Sequence, residues 1–350
     1  MVENSGGNSG TGNVKGLKDT DKKPILITQN EAMEQLLAKI KLVAKTQATV
    51  LLMGENGTGK EVLAKLLHYY SDRSSKAMIN INCGAIPSEL VESELFGHEK
   101  GAFTGAHSLK EGCFELAHKS TLFLDEIGEM PKSTQVKLLR TVETGTFRRV
   151  GGKTEIEVDV TLISATNKIL MDQVKSGSFR EDLYYRLNVI ELYIPALRHR
   201  KKDIPLLVTY YKNFFTKKYN ISDITFTDQT IDMLMSYDWP GNVRELKNVV
   251  ERCVVLSKDG QIDLSVIPSR IHRGEKVFPT DGLEGNGNFM QIPVGMSLEE
   301  IERRVIDQTL SSVDNNKTEA AKILGFSRKT LHNKLDKYEK QRNEKENSSS

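Results

Sequence analysis

The sequence predicts an α/β protein with a parallel sheet flanked by helices, followed by a helical lid and a small all-α helix-turn-helix domain. Three observations lead to this prediction. Short apolar, β-favouring runs alternate with helix-like runs over residues 24–192, as expected of a parallel sheet covered by helices. Over residues 203–256 apolar side chains recur every three or four positions, which indicates helices. A second helical block follows a stretch rich in Gly and Pro at residues 273–295.

Composition is consistent with several compact units in one chain. The 350 residues are 38% hydrophobic and carry a net charge of +2, so bulk charge points to no particular partner. Residues 1–22 are rich in Gly, Ser, Asn and Thr, which favours disorder. We predict a disordered tail over 1–22, an α/β subdomain over 23–192, a helical lid over 193–272, a flexible linker over 273–295, a helix-turn-helix domain over 296–342 and a tail over 343–350.

Apolar runs and cysteine spacing indicate the cellular compartment. No run approaches the ~20 apolar residues of a membrane span, and the N-terminus lacks a secretory pattern. Cys83, Cys113 and Cys253 have neither metal-site nor disulfide spacing. We therefore expect a cytoplasmic protein with no membrane partner.

A glycine-rich loop separates an apolar, β-favouring segment at residues 48–53 from a helical pattern at residues 61–67. In this context backbone N–H groups and the helix N-terminus face phosphate oxygens, and a lysine reaches the terminal phosphates. We predict an ATP site here. Its residues are Gly54, Glu55, Asn56, Gly57, Thr58, Gly59, Lys60 and Glu61.

Glu61 departs from the generic phosphate-loop pattern, which has Ser or Thr there to bind Mg²⁺. We expect Mg²⁺ to depend instead on Asp125, Thr58 or water. Asp125 and Glu126 close a short apolar strand, and parallel sheets place ligands at the carboxyl ends of their strands. Asp125 would then face Mg²⁺ and Glu126 would polarise the attacking water. A solvated turn is the alternative for this acidic pair.

Further polar residues follow a third strand and a later helical segment. Asn167 follows the strand predicted at residues 158–165, where its amide would sense the γ-phosphate. Arg180 and Arg186 lie six residues apart, and Arg244 lies at a helix start. A guanidinium from a neighbouring subunit stabilises phosphoryl transfer by about 10³ to 10⁵ in rate. Each arginine alone would more often form a surface ion pair.

The last predicted unit begins with Ser297 as a helix cap. A helix over residues 315–324, a turn at Gly325, a cap at Ser327 and a final helix form a pattern typical of DNA-binding proteins. Leu331 and Leu335 would face inward. The candidate DNA contacts are Arg328, Lys329, Thr330, His332, Asn333 and Lys334.

Local charge favours phosphate attraction at this unit. Seven Lys/Arg against three Asp/Glu between residues 317 and 340 leave an excess of four. A structural three-helix cap with a solvated basic face is the alternative.

A second loop lies between the phosphate loop and the acidic strand end. It consists of Gly101, Ala102, Phe103, Thr104, Gly105 and Ala106. Glycines and alanines around a Phe-Thr tip disfavour a helix and favour a flexible loop that presents an apolar tip.

With these motifs, residues 24–340 resemble the sigma-54-dependent transcriptional activators, which are bacterial enhancer-binding proteins of the AAA+ P-loop ATPase superfamily. The resemblance is carried by the phosphate loop with Lys60, residues 82–85, residues 94–106, Asp125 with Glu126, Asn167, residues 178–187 and residues 239–246. The last helices resemble the Fis-type helix-turn-helix. Lys110, Lys119 and Ser120 stand where many members carry Arg and a Gly pair.

The resemblance implies partners and roles. The Phe-Thr loop would contact the sigma-54 subunit of RNA polymerase, and ATP hydrolysis in a ring of copies of this chain, commonly a hexamer, would open the promoter complex. The helix-turn-helix would bind enhancer DNA. Asn82 would hold back Glu126, Asn167 and Arg244 would be sensors one and two, and Arg180 or Arg186 would be the finger acting on the neighbouring subunit.

Two other function classes stay open, namely another AAA+ machine and a DNA-binding regulator that does not hydrolyse ATP. The Phe-Thr loop argues against the first, and the intact Lys60, Asp125 and Glu126 argue against the second. Control would come from a separate regulatory protein or from a domain outside this chain.

Overall fold

The computed structural model describes residues 15–16, 23–221, 224–257, 260–262, 264–272, 296–313 and 316–347. It divides into one unit up to residue 278 and another from residue 279, and we describe each by itself. The predicted tail over 1–22, apart from residues 15 and 16, and the predicted linker over 273–295 lie outside the described residues.

The first unit is built on a six-stranded sheet. The strands of this unit's α/β part are β1 (Lys15–Gly16), β2 (Val50–Met53), β3 (Ile79–Asn82), β4 (Ser120–Asp125), β5 (Thr146–Arg148), β6 (Glu155–Glu157), β7 (Val160–Thr166) and β8 (Ile190–Tyr193). The sheet order is β1-β3-β4-β7-β2-β8, and only the β1–β3 pair is antiparallel. Strands β5 and β6 form a separate antiparallel pair. The predicted parallel sheet is confirmed.

Helices cover both faces of this sheet. They are α1 (Glu31–Val43), α2 (Lys60–Tyr69), α3 (Ser88–Phe96), α4 (Cys113–Leu116), α5 (Lys132–Thr144), α6 (Leu170–Lys175) and α7 (Glu181–Leu187). Leu122 and Leu124 of β4 belong to the core that includes α3 and α7, whereas Phe123 belongs to the core that includes α1 and α2. Burial on both faces explains why the strands read as continuous apolar runs.

A helical lid completes the first unit. It contains α8 (Asp203–Tyr219), α9 (Asp228–Ser236), α10 (Asn242–Leu256), α11 (Ser269–His272), and a short parallel pair of β9 (Thr225–Phe226) and β10 (Gln261–Ile262). Trp239 is fully buried in the lid core, and its Nε1 donates to the Leu234 carbonyl at 2.8 Å. The sequence predicted only helices here, because two-residue strands are too short to show a periodic pattern.

The second unit contains α12 (Leu298–Ser312), α13 (Lys317–Ile323) and α14 (Arg328–Asn347). The Ser297 hydroxyl accepts from the Glu300 N–H, as predicted for a helix cap, and Gly325 takes a positive φ of 69° in the turn. Leu331 is fully buried and Leu335 packs against the same core. Helix α14 continues to Asn347, past the predicted domain end at residue 342. No Gly or Pro interrupts this stretch, so the tail predicted from residue 343 starts as helix.

Candidate nucleotide site and partner surfaces

Parallel strand ends bring the predicted ATP-site residues to one edge of the sheet. Met53 pairs in register with Thr166, and Asn82 pairs with Asp125. The Gly54 N–H donates to the Thr166 carbonyl at 3.3 Å. Asn167, which follows Thr166 and is exposed, therefore lies beside the start of the phosphate loop.

Lys60 opens α2 and is buried against the phosphate loop. Its Nζ donates to the backbone carbonyls of Gly54 at 2.8 Å and Glu55 at 3.2 Å. Burial lowers the pKa of the Lys60 ammonium, and the nearby carboxylates of Asp125 and Glu126 partly oppose this effect. The cation and the acidic pair thus lie close enough to influence one another across the site.

Asp125 and Glu126 differ in their surroundings. Burial raises the pKa of the Asp125 carboxyl, and the charge of Lys60 opposes the rise. Glu126 has a φ of 54°, a left-handed conformation that costs free energy in a residue other than Gly and is frequent at functional sites. A Cβ built on Gly84 would lie 2.2 Å from Glu126 Oε2. The absence of a side chain at Gly84 therefore leaves room for the Glu126 carboxylate.

Asn82 lies beside the same glycine. Its Oδ1 accepts from the backbone N–H groups of Gly84 at 2.8 Å and Ala85 at 3.1 Å. Among the described residues no hydrogen bond joins Asn82 to Glu126. The restraint of Glu126 by Asn82 stays a prediction, in which Nδ2 of Asn82 would donate to the carboxylate while Oδ1 keeps its backbone partners.

The lid holds the phosphate loop through three side chains that the sequence analysis did not assign. Arg198 binds the Glu55 carboxylate through both terminal nitrogens, and Arg200 Nη2 donates to the Thr58 carbonyl at 2.8 Å. Asn242 Nδ2 donates to Glu55 Oε2 at 3.1 Å and to the Asn56 carbonyl at 3.0 Å.

The sequence placed Glu55 among the ATP contacts. In the structure, Arg198 and Asn242 of the lid bind its carboxylate. The hydrogen bond from Arg198 lowers the pKa of this carboxylate and keeps it charged. A neutralising arginine reduces the repulsion that Glu55 would otherwise exert on bound phosphates.

Arg244 lies next to the phosphate loop, as expected of a nucleotide sensor. The Val243 N–H donates to the Gly57 carbonyl at 3.0 Å, and a Cβ built on Gly57 would lie 3.0 Å from the Arg244 Cβ. Arg244 is exposed, so its guanidinium is accessible to a ligand.

Arg180 and Arg186 are exposed beside and on α7. Arg180 forms an ion pair with Asp182 at 2.6 Å, and Arg186 donates to the Val142 carbonyl at 3.1 Å. Among the described residues neither arginine has a hydrogen bond or ion pair to the phosphate loop of its own chain.

Few of the described side chains at this edge of the sheet are free to bind a metal ion. Among the described residues no group of three or more His, Cys, Asp or Glu side chains could enclose a metal ion. Glu61 pairs with Lys65 at 2.7 Å, and the Thr58 hydroxyl donates to the Glu55 carbonyl at 2.7 Å. Asp125 is the carboxylate that suits Mg²⁺, an ion commonly held by one or two carboxylates, phosphate oxygens and water.

A mostly apolar cavity adjoins the phosphate loop at Gly59. Its lining includes Ile25, Ile27, Val62, Leu207, Tyr211 and Arg200. Such a cavity suits the flat ring of a nucleobase. No sequence pattern reveals this cavity, because its lining comes from four separate stretches of the chain, at residues 25–33, 58–63, 200–211 and 243.

The Phe-Thr loop is a tight turn on the α/β subdomain. The Gly101 N–H donates to the Ala106 carbonyl at 2.8 Å, and the Ala106 N–H donates to the Phe103 carbonyl at 3.0 Å. Phe103 is 37% exposed and packs edge-to-face on His98 with ring centroids 5.0 Å apart. The tip thus keeps an accessible apolar surface while resting on one histidine.

A second turn supports the base of this loop. Arg149 forms ion pairs with Glu99 and Glu115, and a Cβ on Gly151 would lie 2.8 Å from the Ala102 Cβ. Lys119 has a φ of 58°, in the left-handed region that favours Gly.

The outer face of α14 carries most of the predicted DNA contacts. Arg328, Lys329, Thr330, His332 and Asn333 are all exposed. Lys334 differs, because its Nζ forms an ion pair with Glu302 of α12 at 2.8 Å. Its placement among the DNA contacts is therefore less favoured than a role in holding α14 against α12.

Comparison with known proteins matches all three regions of the chain. Residues 26–193 match the sigma-54 interaction domain, residues 198–281 the AAA+ ATPase lid domain, and residues 297–338 the Fis family of bacterial regulatory proteins. The transcriptional regulatory protein ZraR of Escherichia coli K12 is 45% identical over 317 residues, which are 89% of this chain and 68% of ZraR. The chain belongs to the sigma-54-dependent transcriptional activators.

Two further comparisons agree with this assignment. The regulatory protein AtoC of Escherichia coli K12 is 42% identical over 89% of this chain and 67% of AtoC. The crystal structure of NtrX from Brucella abortus in complex with ADP has a TM-score of 0.69 at 32% identity and covers 91% of this chain and 70% of NtrX. The AAA+ fold with a C-terminal helix-turn-helix is thereby confirmed. No described helix has the length and apolarity needed to cross a membrane.

Proposed function

We propose that the protein hydrolyses ATP in a ring of copies of itself and uses the energy to convert sigma-54 RNA polymerase from the closed to the open promoter complex. The helix-turn-helix domain holds enhancer DNA during this work. One observation carries the proposal: Lys60, Asp125 and Glu126 meet at one sheet edge of the same subdomain that presents Phe103 on an accessible loop.

Each residue of the site has a role in phosphoryl transfer. Lys60 and the loop N–H groups bind the β- and γ-phosphates of ATP. Crystal structures of the similar NtrX from Brucella abortus in complex with ADP and with ATP support a nucleotide site in this fold. Asp125 would hold Mg²⁺, which supplies positive charge to the phosphate oxygens. Glu126 polarises the attacking water, and Asn167 and Arg244 contact the γ-phosphate. Positioning and charge stabilisation account for most of the rate in this chemistry.

A neighbouring subunit completes the site. Arg180 and Arg186 are exposed and do not contact their own phosphate loop, so they suit a nucleotide bound to the next copy of the chain. A closed ring of head-to-tail contacts gives every site an arginine from its neighbour, and we propose a hexamer. We also propose a cytoplasmic location, where polymerase and DNA are found.

Open-complex formation with purified sigma-54 polymerase, ATP and a matching promoter tests the proposal. The native chain should open the promoter only with hydrolysable ATP. The matched control is Glu126→Gln, which preserves size and hydrogen bonding and should bind ATP, hydrolyse it very slowly and leave the promoter closed. Promoter opening by Glu126→Gln at the native rate would contradict the mechanism.

A further inference from the structure

His98 lies at the base of the Phe-Thr loop, where both its backbone and its side chain are held. Its N–H donates to the Lys110 carbonyl at 3.0 Å, and its carbonyl accepts from the Lys110 N–H at 3.0 Å. Its Nδ1 and the hydroxyl of Ser93 on α3 are hydrogen-bonded at 2.7 Å. His98 and Ser93 are both buried, so the imidazole ring has a fixed position and orientation.

The tip of the loop, in contrast, has space around its backbone. Gly101 and Gly105 flank the tip with φ values of 82° and 108°. Within the described part of the chain, no heavy atom beyond their chain neighbours lies within 4 Å of a Cβ built on either glycine. Phe103 packs edge-to-face on the His98 ring, with the ring planes at 68°. Because an aromatic pair of this geometry is favourable beyond the area that it buries, His98 favours one position of the Phe103 ring.

We propose that His98 is a positioning residue for the sigma-54 contact, whose ring holds Phe103 in the conformation that binds sigma-54. Phe103 makes the contact, and His98 raises the fraction of the protein in which the tip has the binding conformation. The apparent affinity for a partner falls in proportion to that fraction. The inference rests on the proposed function and adds a residue that acts through Phe103.

Substitutions at residue 98 of the full chain can separate the ring from its hydrogen bond. His98→Leu and His98→Phe both lose the bond to Ser93 and differ in the aromatic ring, whereas His98→Asn keeps a polar group near Ser93 and loses the ring. His98→Leu and His98→Asn should bind sigma-54 about fivefold more weakly than the native chain, as expected for one lost aromatic pair. His98→Phe should bind within about twofold of native. Affinity is measured by titration with ADP and aluminium fluoride, which mimic the transition state of hydrolysis.

Two further readouts distinguish positioning from a loss of structure. ATP turnover by every variant should stay within about twofold of native, because His98 contacts no residue of the nucleotide site. Promoter opening by His98→Leu should fall at limiting sigma-54 polymerase and reach the native rate at saturation, because only the population of the binding conformation changes. The matched control is His107→Asn, the same substitution at an exposed histidine just after the loop, which should leave sigma-54 affinity at the native value.

Several results would overturn the role of His98. Native sigma-54 affinity in His98→Leu and His98→Asn is one, and tighter binding, which would mean that His98 holds Phe103 away from its partner, is another. An equal loss in His98→Phe and His98→Leu would assign the effect to the bond with Ser93. Unfolding of both His98→Leu and His98→Asn in thermal melting would show a role in the fold alone. If the native chain itself did not bind sigma-54, the proposed function would fail, whatever the variants did.

Discussion

The amide of Asn242 binds Glu55 across 187 positions of sequence, with its Nδ2 3.1 Å from Glu55 Oε2. Its Oδ1 accepts from the Leu197 N–H at 2.7 Å, so one buried side chain joins the lid helix α10, the start of the lid and the phosphate loop. Asn242 has a φ of 53°, a region in which Asn and Gly are favoured over other residues.

Asn242→Gly should therefore lower the free energy of unfolding by about 2–4 kcal/mol, because it removes these bonds and leaves the buried Leu197 N–H unsatisfied. Asn242→Ala should cost about 1 kcal/mol more, since Ala adds backbone strain at this φ. Urea denaturation can be followed by the fluorescence of Trp239, the single Trp of the chain, which is buried in the lid core. Native stability in Asn242→Gly would mean that this contact contributes nothing to the fold.

Asp125→Asn should stabilise the ligand-free protein while abolishing ATP hydrolysis. The pKa of Asp125 is raised by burial, so its charged form is less favourable in the folded than in the unfolded chain. Below the pKa that Asp125 has in the unfolded chain, the carboxyl is protonated in both states and costs no stability. Once the pH exceeds the higher pKa of Asp125 in the folded chain, the full free-energy cost of burying its charge lowers the stability.

The thermal midpoint of Asp125→Asn should thus exceed that of the native chain at pH 7, and the difference should shrink as the pH falls toward the acidic range. Asp172→Asn, at an exposed position, should change the midpoint at pH 7 by less than Asp125→Asn does. A lower midpoint for Asp125→Asn at pH 7 would show that the carboxylate stabilises the fold.

Arg186→Ala should reduce ATP turnover steeply, on the order of 10³-fold for a transition-state arginine, while nucleotide binding at Lys60 persists. Within the described part of the chain, Arg186 donates to the Val142 carbonyl alone, whereas Arg180 is paired with Asp182. We therefore expect Arg180→Ala to have the smaller effect. Phosphate release by each variant is the test, and Arg252→Ala, at an exposed arginine of the lid, is the control for these substitutions.

Phosphate release by the native chain is measured over a range of protein concentrations. ATP turnover per subunit should rise with concentration, and constant turnover by a strictly monomeric chain would contradict the ring.

Phe103→Ala and Thr104→Ala should uncouple ATP hydrolysis from promoter opening. Neither side chain belongs to the phosphate site, so ATP turnover should stay within a few-fold of native, while sigma-54 binding and promoter opening should be lost. Phosphate release and open-complex yield are measured on the same preparation of each variant. Leu109→Ala changes another exposed apolar residue outside the tip and should leave both quantities near native. Normal opening by both tip variants would favour a different remodelling role for this AAA+ protein.

Two substitutions in the last helix should have different effects, one on DNA recognition and the other on stability. Arg328→Ala, on the exposed face, should cost about 1–3 kcal/mol of DNA binding at particular base pairs. Lys334→Ala should instead lower the unfolding free energy of the helix-turn-helix by up to about 1 kcal/mol, because a partly exposed pair with Glu302 is lost. Titration of DNA selected by the native chain from a random pool, together with thermal melting of each variant, distinguishes the two effects. Specific DNA binding by a chain truncated at residue 290 would refute the assignment.

The sequence by itself determined the parts of this protein whose geometry is local. The phosphate loop with Lys60, the acidic pair at the end of β4, the Phe103 loop and the capped helices of the last unit each consist of neighbouring residues. Spacing along the chain then sets the direction of a turn or the face of a helix. The family could be predicted from the same stretches, because its motifs are contiguous.

Only the tertiary structure showed that side chains of the lid hold the phosphate loop by hydrogen bonds. Glu55 and Thr58 meet Arg198, Arg200 and Asn242 over 142 to 187 positions of sequence. The apolar cavity beside Gly59 likewise combines the segment before α1, the start of α2 and the lid. Lys334 could be placed among the DNA contacts from its helical position, but its partner Glu302 lies on another helix. Such contacts depend on how separate elements pack, and the pattern of apolar and polar residues within one element does not specify them.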